Sequence, residues 1–124
     1  MARRSEFVAY VCELLAPLGA LRAKAMFGGW GLYADELFFA IVLDDVLYLK
    51  ADDESRERFV AAAQRPFTVT MRGIEQRMDY YTVPEAALDD GDELLPWARL
   101  ALAAARRKAA RGTRVANRPA RRRP

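Results

Sequence analysis

The chain has 124 residues, 52% of them apolar, enough for one domain with a normal buried core and too many for a disordered polymer. It contains one cysteine and no histidine, which excludes an internal disulfide and any nucleophile paired with a histidine base. The net charge of +3 hides a division. Residues 1–105 carry 11 Lys/Arg against 17 Asp/Glu, while residues 106–124 carry nine Lys/Arg and no acid. An acidic body is followed by a basic tail.

No segment approaches the ~20 consecutive apolar residues of a membrane helix, and no secretory leader opens the chain. A cytoplasmic protein without membrane attachment is therefore expected. The lone Cys12 fits a reducing compartment; it lies among Val8, Val11 and Leu15 at helical spacing and reads as a buried, inert thiol.

From Ser5 to Ala16, apolar residues recur with helical period, Ser5 is the natural cap, and Pro17 with Gly19 ends the run. Strands are expected over about 24–34, 37–43 and 46–50, joined by short polar turns at Asp35-Glu36 and Asp44-Asp45. The stretch Leu37–Leu43 is apolar throughout, as suits a central strand covered on both faces or one with a sticky outer face. A helix capped by Asp52 or Asp53 runs to about Ala63 and stops before Pro66. Strands over about 67–71 and 77–82 form a hairpin around Arg72-Gly73-Ile74-Glu75. The last helix opens at the capping-box pattern Asp90-Gly91-Asp92-Glu93 and runs to about Arg107, with Pro96 tightening or kinking its early turns. The order is α-β-β-β-α-β-β-α, an α+β domain in which helices cover an antiparallel sheet. Residues 1–108 form the domain, and 109–124 read as a disordered basic tail.

Several phrases in this order are distinctive. Met26-Phe27-Gly28-Gly29-Trp30-Gly31-Leu32-Tyr33 packs three glycines into four positions between aromatics. Leu47–Asp52, Pro66-Phe67, Met78–Tyr81 and Leu94–Ala98 follow it. Together they resemble the TfoX (Sxy) N-terminal domain family over about residues 22–105. The resemblance implies the same element order, which also recurs in secretion-chaperone-like folds. It implies a stand-alone member of a family of competence regulators that assist transcription through the cyclic-AMP receptor protein. Two-domain members carry a separate C-terminal domain, and the 17 residues after Arg107 are too few for a second core. The implied role is a regulatory, protein-interaction module, not an enzyme, with no cofactor or metal.

The residues themselves allow narrower statements. The glycine cluster leads into a strand and not a helix, so it lacks the geometry of a phosphate loop. Two readings stay open: a bent first strand with a close neighbour, or a protein-contact surface built on Phe27, Gly28, Gly29, Trp30, Gly31 and Tyr33. The acidic pairs fall where turns and helix caps favour acids, and none forms a catalytic constellation. Of Tyr80 and Tyr81, one should enter the core and the other the opposite side. Lys50 reads as a surface strand end, with an activated amine the alternative if it is buried. The tail offers non-specific DNA or RNA phosphate contacts through Arg106, Arg107, Lys108, Arg111, Arg114, Arg118, Arg121, Arg122 and Arg123. It lacks aromatics for base stacking, and it equally suits a solvated appendage or one folded back on the acidic body. The protein partner, transcription machinery included, is not identified by any motif, and monomer and homodimer stay open.

Overall fold

The computed structural model describes residues 5–26 and 28–117, with side chains as far as residue 112. Helix α1 (Glu6–Leu14) is capped by the Ser5 hydroxyl, which accepts from the Val8 N–H at 3.0 Å. A short 3-10 turn, Ala16–Leu18, follows. Four strands come next: β1 (Leu21–Met26), β2 (Gly29–Ala34), β3 (Leu37–Leu43) and β4 (Val46–Lys50). Helix α2 (Arg56–Ala61) leads to strands β5 (Pro66–Met71) and β6 (Ile74–Tyr81), and a second 3-10 turn, Glu85–Asp89, introduces helix α3 (Gly91–Asn117). All strands join one antiparallel sheet in the order β1-β2-β3-β4-β6-β5.

The α+β class and the antiparallel sheet are those read from the sequence. Two details differ. Residues 24–34, expected as one bent strand, are the facing halves of a hairpin, with Met26 opposite Gly29 and Gly28 in the turn at φ +79°. The left-handed backbone at Gly28 lets the chain reverse where a bend was anticipated. The last helix also runs ten residues beyond Arg107. Ala, Arg and Lys dominate that extension, and these residues sustain a helix without a buried face. The expected disorder at 109–117 is thus helix, and residues 118–124 lie outside the described residues.

The acidic turns are as tight as expected. Asp35 and Glu36, and likewise Asp44 and Asp45, all have positive φ between 50° and 68°, as two-residue hairpin loops matched to strand twist require. Between β2 and β3 the register shifts: Leu32 faces Ala40, but Tyr33 faces Phe38. The extra residue is Phe39, so Phe39 and Ala40 are both fully buried although adjacent.

Side-chain alternation then divides the sheet. Leu32, Ala40, Val42, Leu47, Leu49 and Tyr81 point to one face and join a core with Val8, Val11 and Leu15 of the N-terminal segment. From α3 come Leu94, Ala98, Ala101, Leu102 and Ala105; the alanines let its axis approach the strands closely. Helix α2 closes the core with Phe59, whose ring stacks on Tyr81 at 5.6 Å and tilts on Trp97 at 5.0 Å. Cys12 packs partly buried against this core. All three helices therefore lie on the same side.

One polar clasp ties α3 to the β4–α2 connection. Asp52 accepts from Arg107 Nε at 2.6 Å and from the terminal guanidinium nitrogen at 2.8 Å. It also accepts from the Glu54 and Ser55 backbone and from the Ser55 hydroxyl. These donors, Arg107 foremost, hold the Asp52 carboxyl at about 2, below its ordinary 3.8. Close by, Arg56 makes a two-pronged pair with Asp79 at 2.9 and 2.6 Å.

Two stability predictions follow from this packing. A methyl group on Gly29 would collide with the Val42 carbonyl oxygen, a backbone atom. Gly29→Ala should cost about 1–3 kcal/mol in chemical denaturation, and an unchanged midpoint would show that the β2–β3 spacing relaxes freely. Because the folded Asp52 pKa lies below the unfolded one, its contribution is full above about pH 5 and is lost as pH falls through about 4 to 2. Arg107→Met should remove on the order of 1–2 kcal/mol at neutral pH, less than the full shift because Arg107 is partly solvated. Its stability should also fall less steeply with acid than wild type; parallel urea-denaturation curves from about pH 5 to 2 would refute the clasp.

Candidate functional site

Side chains opposite the helices form the outer face of the sheet. Arg22, Lys24 and Met26 lie there on β1, with Gly31 and Tyr33 on β2. Strand β3 contributes Phe38, Ile41 and Leu43, and β4 contributes Val46, Tyr48 and Lys50. Tyr80, Met78 and Phe67 continue the face across β6 and β5. Among the described residues, no helix covers it except at the Phe38 and Lys50 end, which α3 overhangs.

A row of rings crosses the face. The Arg22 guanidinium lies 4.5 Å from the Tyr33 ring centre, Tyr33 stacks on Phe38 at 5.2 Å, and Phe38 tilts on Tyr80 at 5.9 Å. Lys50 ends the row, its Nζ donating to the Tyr80 hydroxyl at 3.4 Å. Burial pushes the Tyr80 phenol up to about 12, so it stays protonated at every physiological pH. A second ring pair, Tyr48 and Phe67, meets edge-on at 5.0 Å. The β5–β6 hairpin pairs with β4 only near Leu49 and Lys50. Its far end reaches past the sheet and exposes Met71, Ile74 and Met78. Apolar side chains grouped on a water-facing surface make it a candidate contact surface.

The aromatic–glycine cluster is split by this geometry. Trp30 faces Val42 and packs half-buried against the core, on the helix side. Gly31 and Tyr33 are on the outer face, and the missing side chain of Gly31 leaves the space that Met26 and Phe38 occupy. Gly29 packs against β3, Gly28 is in the turn, and Phe27 lies outside the described residues. Tyr81 enters the core and Tyr80 the opposite face, as alternation requires. Lys50, read as a surface strand end, is instead 9% exposed. Ile41 falls in the apolar Leu37–Leu43 run, and Tyr48, Phe67 and Met78 fall in the phrases shared with the family, but sequence reasoning places none of the four in a contact site.

The basic residues are separated as well. Arg107 is bound to Asp52, whereas Arg106, Lys108 and Arg111 are exposed on α3. Arg114 lies within the α3 backbone, and Arg118, Arg121, Arg122 and Arg123 lie outside the described residues. Among the described residues, no three acids or cysteines stand together as a metal site, and no helix is long and apolar enough to cross a membrane.

Comparison with known proteins agrees with this architecture. The model of the TfoX N-terminal domain matches residues 13–105, from the end of α1 through all six strands and into the middle of α3. Protein Sxy of Escherichia coli (strain K12) is 32% identical over 103 residues, which cover 82% of this chain and 49% of Sxy. The chain thus spans about half the length of this curated relative. With the family pattern running through every strand of the sheet, the chain belongs to the TfoX N-terminal domain family.

Proposed function

We propose that this chain is a non-catalytic regulatory module that binds a protein partner on the outer face of its sheet. The observation that carries the reading is that face itself: six strands, rows of half-buried aromatics, and the apolar faces of three helices all packed on the other side. A sheet face of this size gains by burying its apolar surface against a second protein. Tyr, Phe and Met are suited to the centre of such an interface, with Arg22 and Lys24 at its rim. Among the described residues, no paired acid–base groups converge on the face. Family membership supports a role in regulation, with competence and transcription machinery the settings that the family suggests, in the cytoplasm.

The test separates the two sides of the sheet. Met78→Arg and Ile41→Arg should abolish capture of the partner from native lysate while the thermal midpoint of the exposed Met78 variant stays near wild type. Trp30→Ala should instead lower stability by about 2–4 kcal/mol, as removal of a packed ring does. Capture undiminished by both arginine variants would refute the outer face as the contact surface.

A second reading, non-specific nucleic-acid contact, is favoured by the exposed cations on the α3 extension. Truncation after Ala105 is a poor test because it also removes the Arg107–Asp52 clasp. Truncation after Gly112 deletes five basic residues and spares the clasp. It should lower the log–log salt slope of DNA or RNA binding by up to about 4; an identical slope would rule out the tail.

A further inference from the structure

Helix α3 overhangs the end of the sheet, and beneath the overhang lies a cleft of about 320 Å³. Its walls are mostly apolar: Leu37 and Phe38 from β3, Ala105 and Ala109 from α3. Two cations, Lys50 and Lys108, complete the lining together with Glu36.

Lys50 is the unusual member. The residue is only 9% exposed, yet among the described residues its ammonium makes one hydrogen bond, to the Tyr80 hydroxyl, and otherwise lies over the Tyr80 ring at 4.9 Å from its centre. Among the described residues, no carboxylate lies within ion-pair distance of it. The surrounding acids are already claimed by arginines. Glu36 pairs with Arg22 at 2.8 Å, Asp79 with Arg56 at 2.6 Å, and Asp52 with Arg107 at 2.6 Å. Burial first, then the charge of Lys108, disfavours the ammonium form; Asp79 and Asp52 oppose them at longer range, and Arg111 adds least. A buried cation is normally paired or hydrogen-bonded throughout. Here a negative charge is missing, and the cleft is where one can enter.

We propose that this cleft binds a small organic carboxylate, its charged end on Lys50 and Lys108 and its apolar body against Leu37, Phe38, Ala105 and Ala109. The lining selects this class. The volume equals about ten waters, more than inorganic phosphate fills. Four apolar residues give phosphate nothing, and the cleft offers two amines, without the guanidinium fork that suits a doubly charged anion. A carboxylate with a ring or branched chain satisfies both ends, as ligand sites with an apolar wall and a few polar anchors do. The assignment does not depend on the partner-binding reading above.

The full chain is titrated calorimetrically with phenylacetate, phenylacetamide and inorganic phosphate. Phenylacetate should bind saturably at one site, with the neutral amide weaker by about tenfold or more, as loss of a charged hydrogen bond implies. Inorganic phosphate should bind more weakly than phenylacetate. Lys50→Met keeps the buried stem and should lose about tenfold or more in affinity. Ala109 is exposed, so Ala109→Trp fills the cleft without disturbing the core, and it should abolish binding with Lys50 intact. No saturable phenylacetate binding, affinity undiminished in Ala109→Trp, or phosphate binding as tight as phenylacetate would each overturn the assignment.

Discussion

The close approach of α3 to the middle of the sheet is the constraint on which the other features rest. Leu94, Ala98, Ala101 and Ala105 form its inward stripe, and three of these four carry only a methyl group. Burying Phe39, Leu47 and Leu49 against that stripe supplies much of the domain's hydrophobic stabilisation. It also fixes the helix layer on one side. The same strands must then present their alternate residues, Phe38, Ile41, Tyr48 and Tyr80, to the opposite side.

Charge follows the same geometry. The acidic body and basic tail are not independent blocks, because Arg107 is bound by Asp52 at the end of β4. Asp52 meanwhile organises the turn into α2 through Ser55, so one carboxylate joins the last helix, the central strand and the middle helix. Because Arg107 is occupied there, the α3 cations left for an outside partner are those farther along the helix and Arg106 on its exposed side.

Much of this was legible in the sequence where a local rule sufficed. Helical spacing from Phe7 to Leu15, the acids of the tight turns, and the apolar run Leu37–Leu43 each have one dominant physical reading. The phrases shared with the family confirmed the order. What escaped depends on tertiary context. A hairpin and a bent strand have nearly the same composition around Gly28-Gly29, and only pairing distinguishes them. Trp30 and Tyr33 look alike as aromatic contact residues, yet the strand sends them to opposite faces. Lys50 occupies an ordinary strand end in the chain, and its burial comes from Tyr80 and α3, which are distant in sequence. The helical tail to Asn117 reflects propensity, a weaker signal than the apolar periodicity that ends near Arg107.

Phe38 lies where the two surfaces meet. Its ring belongs to the row across the outer face and also lines the cleft beneath α3. The surfaces nevertheless demand different chemistry. The outer face is broad and carries cations only at its rim and at the end of the ring row, so apolar area must dominate any contact there. The cleft is small, and its decisive group is a single buried ammonium that lacks a counter-charge. Area alone cannot supply that charge, and a carboxylate alone cannot cover the sheet.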